Sequence, residues 1–282
     1  MKSQTPFVNS VLHTTDFSPA SDRAFAHALA IALLRQTELT ILHVGEQSRE
    51  DIDWDRFPAV RKTLERWGLL EPGSDRSAVP EELGVDVRKL AVKSHDPVRA
   101  TTKFLDEHPH DLIVLATEGS ASAGTSWLHR SDAEAIARNA GAMTLFVPGK
   151  AKRDLVALDN GDLNLKRVLI PVDAELDGSH AIEFARRAAE IMGDGDTEMT
   201  IFHVGESMPP LPALPEGEGW SWRTDLAGGE PVDAILRAAE ADKADLIVMT
   251  TNGRDTLGQA LAGSTTERVL RRSVCPVLAV PA

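Results

Sequence analysis

The chain has 282 residues, 42% of them hydrophobic and 26% charged, with a formal net charge of −13. That length predicts two domains, each large enough to bury a core. The acidic balance excludes nucleic acid or an anionic membrane as a main partner, since both are held largely by Lys and Arg. The single cysteine, Cys275, excludes an intrachain disulfide. The opening residues MKSQTPFVNS lack the apolar stretch of a signal peptide, and no apolar run is long enough to cross a bilayer, so the expectation is a cytoplasmic protein.

The apolar run Val11–Thr15 predicts a first strand, ending at Asp16. Ser18-Pro19 then suits an N-cap and first helical position. Phe25, Leu29, Ala32 and Leu33 follow at helical spacing. Leu39–Val44 is a second strand, closing on His43-Val44-Gly45, and Trp54–Leu70 a helical stretch. Val85–Val92 predicts a third strand, Pro97–Glu107 a helix, Leu112–Thr117 a fourth strand, Ser131–Asn139 a helix and Thr144–Val147 the last strand. These strands are apolar throughout instead of alternating, which suits a parallel sheet covered on both faces. Strand–helix–strand units of this kind predict a doubly wound, Rossmann-like α/β sheet.

The same order then recurs. VLHTTDF (11–17) is answered by VLIPVDA (168–174), TILHVGEQS (40–48) by TIFHVGESM (200–208), and DLIVLATEG (111–119) by DLIVMTTNG (245–253). SDAEAIARNAGAMTLFVP (131–148) is answered by STTERVLRRSVCPVLAVP (264–281). The expected domains are 1–149 and 166–282, joined by a linker, 150–165, each with a five-stranded parallel sheet. The second copy is shorter after Gly205, where SMPPLPALPEGEG (207–219) carries four prolines. A helix is excluded there, so a Pro-rich loop is expected in its place.

In an open parallel sheet, ligands bind outside the C-terminal strand ends, at the point where strand order reverses. The informative stretch is TTNGRDTLGQALAGSTTERVL (250–270). Gly253 and Gly263 are separated by nine residues, Ser264-Thr265 opens a helix, and Ser264 with Glu267 makes a capping box. A glycine before a helix start lets backbone amides approach a phosphate, whose charge the helix dipole favours. Taken alone, Gly-Ser before a helix is more often only a cap.

Asp after strand one, His-Val after strand two and the glycine-rich turn together resemble the universal stress proteins, in tandem and over nearly the whole chain. Family members that bind ATP carry Gly-x-x-Gly, nine residues, then Gly-Ser or Gly-Thr. The resemblance implies adenine and ribose contacts near Asp173 and Val204, with phosphates at Gly253, Gly263, Ser264 and Thr265. The cofactor would be ATP or another adenine nucleotide, with or without Mg. This chain departs from the pattern at Thr250, which replaces the first glycine. A position needing positive φ or close phosphate approach would penalise a β-branched residue. In the first copy, ATEGSASAGTSWLHRSDAEAI (116–136) sets Arg130 against Gly263, and Asp132 would repel a phosphate. No ordinary ATP site is expected there, although Arg130 could reach an anion. In the family the last strand pairs antiparallel with a counterpart, so TLFVP (144–148) and PVLAVP (276–281) could form an intramolecular pseudo-dimer. Further homodimerisation is left open.

Blander readings stand beside these. Asp16 and Asp173 could simply tie down a loop. His43 and His203 lack a nearby ligand set for a metal and read as strand-end residues bonded to backbone. Ser264-Thr265 has no recognisable base and orienter for nucleophilic catalysis. Cys275 reads as a small core residue. The functional expectation is a stress-response regulator that binds adenine nucleotide in the second domain and acts on an unidentified protein partner. The alternatives are a nucleotide-free scaffold docking partners around Pro209–Trp222, and a slow ATP hydrolase.

Overall fold

The computed structural model describes residues 8–47, 49–117, 130–174, 177–193, 195–251 and 265–281. In chain order the first half runs β1 (Ser10–Thr15), α1 (Pro19–Arg35), β2 (Glu38–Gly45), α2 (Val60–Arg66), α3 (Ala78–Leu83), β3 (Val87–Lys93), α4 (Pro97–Glu107), β4 (Leu112–Ala116), α5 (Arg130–Ala140) and β5 (Met143–Val147). The second runs β6 (Arg167–Pro171), α6 (Ser179–Met192), β7 (Thr197–Val204), β8 (Trp220–Ala227), α7 (Pro231–Ala241), β9 (Leu246–Thr251), α8 (Thr265–Arg272) and β10 (Val277–Pro281).

The ten strands of the described residues join one sheet, in the order β3-β2-β1-β4-β5-β10-β9-β6-β7-β8. Within each half neighbouring strands are parallel, and the strand order reverses between β1 and β4 and again between β6 and β9. The halves meet where β5 and β10 pair antiparallel, with Val277 opposite Phe146, Leu278 opposite Leu145 and Ala279 opposite Thr144.

Both faces of the sheet are covered, which is why the strands are apolar on both sides. One face packs against α1, α2 and α6, and the other against α4, α5, α7 and α8. Helix α1 starts where Ser18 accepts the Ser21 amide and Pro19 takes the first turn. It ends where Gln36 turns left-handed at φ 47°. Ten of its residues are buried, so it serves as a central core helix instead of an amphipathic cover. The segment between the halves is packed: Leu155, Val156 and Leu165 are buried on the α1/α6 face, and Val156 bridges to Leu163.

The helix expected over Trp54–Leu70 is interrupted. A single short turn covers Trp54–Arg56, the chain extends through Phe57, and α2 begins only at Val60. Pro58 has no amide to donate and pushes the preceding residue into the extended region. Phe57, at ψ 142°, is thereby turned into the core. Residues 207–219 carry no helix, as the four prolines require. That loop lies along the α1/α6 face, where the indoles of Trp220 and Trp222 both donate to the Pro215 carbonyl, at 3.4 and 2.8 Å.

Candidate functional site

At the C-terminal ends of β6, β7 and β9 lies a cleft of about 250 Å³. It sits on the α7/α8 side of the sheet, beside the second reversal of strand order. Its floor is Phe202, Val204, Met249 and Thr251, residues two apart on β7 and β9 that face the same way. Pro231 and Ile235 of α7 form one wall, and Thr265 and Thr266 of α8 the other. Asp173 supplies the one carboxylate among the described lining residues, and no Lys or Arg is among them.

Four of the seven residues expected at a nucleotide site fall here: Asp173, Val204, Thr250 and Thr265. Gly253, Gly263 and Ser264 lie outside the described residues, as does the Ser264 half of the expected capping box. Thr250 is in strand β9, opposite Val280, and is not among the residues with positive φ. The strain anticipated for a β-branched residue at this position is therefore absent, because an extended backbone suits threonine. Thr250 Oγ1 is buried without a hydrogen-bond partner, whereas the neighbouring Thr251 hydroxyl donates to the Val280 carbonyl at 3.4 Å. A buried hydroxyl left unpaired costs free energy, and this one belongs to a cleft-lining residue.

Cleft residues not picked out from the sequence are Phe202, Ile235 and Met249 among others. Each reads as ordinary core by type. Only the two-residue alternation from Val204 and Thr251 back along their strands could have marked Phe202 and Met249.

The repeated His-Val-Gly has a structural cause. His203 Nδ1 lies 2.9 Å from the Val172 carbonyl, and His43 Nδ1 lies 2.8 Å from the Thr15 carbonyl, so each ring fastens the end of the first strand of its half to the second. A Cβ on Gly205 would fall 2.5 Å from His203 Nε2, and one on Gly45 2.9 Å from His43 Nε2. Each glycine thus makes room for the ring two residues before it. Burial also lowers the His43 pKa from its ordinary value.

The first half differs at the corresponding strand ends. Asp16 accepts the Ser18 amide at 3.0 Å, tying down the entry to α1. Phe17, at φ 59°, sets its ring 4.4 Å from His43 and edge-on to Trp54 at 5.6 Å. The second half has Ala174 in place of Phe17. The side chains of Arg130 and Ser131 are outside the described residues.

Among the described residues no group of three His, Cys, Asp or Glu side chains is placed to hold a metal ion. No described helix is long and apolar enough to cross a membrane. Cys275 is buried, and burial pushes its thiol up to about 11, so it stays protonated and unreactive.

A sequence profile of the universal stress protein family matches residues 8–148 and 213–281. The matched segments include the α7, β9 and α8 walls of the cleft and leave β6, α6 and β7 outside. A universal stress protein of Methanocaldococcus jannaschii is 30% identical over 148 residues, covering 43% of this chain and 85% of the relative. Among solved structures, a universal stress protein from Archaeoglobus fulgidus aligns with 97% of this chain and 98% of its own, at 21% identity and a TM-score of 0.61. A functionally unknown protein from Pseudomonas aeruginosa aligns with 97% of this chain and 92% of its own, at 17% identity and a TM-score of 0.61. The two structural likenesses are of fold.

Proposed function

The chain belongs to the universal stress protein family, and from that premise we propose that its second half binds an adenine nucleotide, ATP foremost, and acts as a nucleotide-linked regulator. The observation that carries this reading is the cleft beside the reversal of strand order, with Asp173 and the first turn of α8 among its lining residues. Its chemistry fits such a ligand. Val204, Ile235 and Met249 offer an apolar surface to a base, and Asp173 offers a carboxylate to ribose hydroxyls. The first turn of α8 presents amide donors, the Thr265 and Thr266 hydroxyls and the positive end of its dipole to phosphate. With no Lys or Arg among the described lining residues, phosphate would rest on backbone and hydroxyl donors. Gly253, Gly263 and Ser264 complete the proposed contacts.

The proposed units are residues 1–149 and 166–282, arranged as a pseudo-dimer within one chain; the antiparallel β5–β10 pairing supports this. Nucleotide would regulate by binding one of two partner-binding states more tightly, since a ligand of equal affinity for both shifts nothing. The Pro-rich loop packs on the α1/α6 face, and none of its residues lines the cleft.

The test is thermal unfolding with and without magnesium-ATP, in the parent chain and in Val204→Trp and Gly263→Arg variants. Val204→Trp places a bulky ring in the cleft, and Gly263→Arg copies Arg130 of the first half. A ligand at 100-fold its Kd stabilises its native state by about 2.7 kcal/mol, a shift of several degrees. That shift is expected in the parent and absent from both variants. No shift in parent protein freed of carried-over nucleotide would refute the proposal.

A further inference from the structure

The chain leaving β5 fills a groove between the halves. After Pro148, the amides of Lys152 and Arg153 donate to the Val274 carbonyl, at 2.8 and 3.4 Å. The Arg153 guanidinium donates to the Ala244 and Ala239 carbonyls, at 3.0 and 3.3 Å, and to Glu240 at 3.2 Å. Lys152 pairs with the same carboxylate at 3.2 Å. Asp154 next accepts from Arg23 at 2.8 Å and lies 3.7 Å from His27.

The repeat builds a second groove of the same kind on the other half, of about 460 Å³. By the sequence correspondence Asp106 stands for Glu240, His110 for Ala244 and Gly141 for Val274. Alignment of the buried faces of α1 and α6 sets Phe184 where His27 stands. Two carboxylates, Asp106 and Asp111, line this groove, the second accepting the Asn9 amide at 2.7 Å, and no Lys or Arg is among its described lining residues. Its edge is Val280-Pro281, as Val147-Pro148 edges the filled one.

We infer that the second groove docks an extended segment of a partner protein that carries two adjacent basic residues followed by an apolar one. The basic pair would use the Gly141 and His110 carbonyls and the Asp106 carboxylate, as Lys152-Arg153 use their counterparts. The third residue differs because Phe184 offers an apolar contact where His27 lies beside Asp154, and because the place of Arg23, which holds Asp154, is taken by His180, whose Nδ1 is 3.1 Å from the Pro281 carbonyl. An acidic groove facing a basic segment supplies steering, and the Asp106 contact sets register. This inference does not depend on the nucleotide reading: the groove meets the cleft only along the β9–β10 pairing, where Val280 stands opposite Thr250, and none of its lining residues lines the cleft.

The probe is a fluorescein-labelled peptide carrying residues 149–156 with Asp154→Leu, titrated against the full chain by anisotropy. The tethered linker holds its own groove at an effective concentration in the millimolar range, so added peptide reports on the other one. Saturable binding is expected, at least tenfold weaker in Asp106→Arg with an unchanged thermal midpoint. The peptide that retains Asp154 should bind at least threefold more weakly than the Leu peptide. A peptide with Glu at both basic positions should not bind. Equal binding to parent and Asp106→Arg, or no saturation up to about 1 mM, the weak limit of specific recognition, would overturn the inference. Self-association of the parent that disappears in Asp106→Arg would assign the groove to a second copy and overturn it equally.

Discussion

Replacing Thr250 with valine tests whether its buried hydroxyl, at the strand tips beside the cleft, is held for a ligand. The side chain is 8% exposed, its backbone is extended in β9, and Oγ1 has no partner. An unpaired buried hydroxyl costs about 1–3 kcal/mol. The lower end applies, because valine must also fit a methyl group where the hydroxyl stood. Thr250→Val should therefore stabilise the ligand-free protein by about 1 kcal/mol, raising the midpoint by about 2–4 °C for a chain this long. If the hydroxyl bonds nucleotide, losing that bond weakens affinity about fivefold. Ligand at 100-fold the parent Kd then adds about 2.7 kcal/mol to the parent but only about 1.8 to the variant. Ligand-free proteins should thus differ while saturated ones unfold together. The assay is urea unfolding by tryptophan fluorescence, with equal slopes required before midpoints are compared. A variant less stable than the parent without ligand would show that the hydroxyl is already satisfied, and the reasoning would fail.

Gly205→Ala should destabilise by about 1–3 kcal/mol through overpacking on His203. His203→Ala alone should cost about 1 kcal/mol for the bond to Val172. The double variant should cost less than the sum, and additive urea-unfolding energies would contradict the proposed contact. Burial lowers the His13 pKa from 6.5 to about 4, against opposing contributions from the Val114 carbonyl and Asp16. Between those values the unfolded state binds more protons, so stability should rise with pH, by about 3 kcal/mol from pH 4 to above 6.5. His13→Gln should flatten that dependence. Asp22, held up to about 6 chiefly by burial, contributes equally to both proteins and cancels in the comparison. Glu134 of α5 is buried and paired across the halves with Arg271 of α8 at 3.1 Å, and Arg271 also pairs with Glu267. Arg271→Met should cost about 2–3 kcal/mol at pH 8, and less as pH falls, because burial raises the Glu134 pKa and eases its protonation. A loss independent of pH in calorimetry would count against this pairing.

The paired strands were readable because the repeat preserved their apolar runs and the Asp after the first of them. Strand β8 was not, since WSWRTDLA mixes two core-facing tryptophans with exposed Arg223 and Asp225, as an edge strand does. The break at Pro58 was visible in type, but the helical spacing around it dominated. At the cleft, strand-end positions such as Asp173 and Val204 follow from topology alone. Whether Met249 and Ile235 line a space or a filled core depends on the gap between α7 and α8, a distance that no local pattern encodes. The grooves beside β5 and β10 were hidden for the same reason. Lys152 and Arg153 read as a solvated linker until Glu240 is set beside them.

The single sheet has a consequence for how the protein is made. Its outer strands are guarded by charge, with Arg88, Lys89 and Lys93 on β3 and Arg223 and Asp225 on β8. The two strands that meet in the middle carry no such guard: β5 reads MTLFV and β10 reads VLAVP. On the ribosome β5 emerges long before the residues that will seal it. The first half therefore waits with an apolar edge open to any neighbouring nascent chain. The closing contact is also distant in sequence and pairs slowly. Synthesis that stalls before Val277 leaves that edge without its native partner.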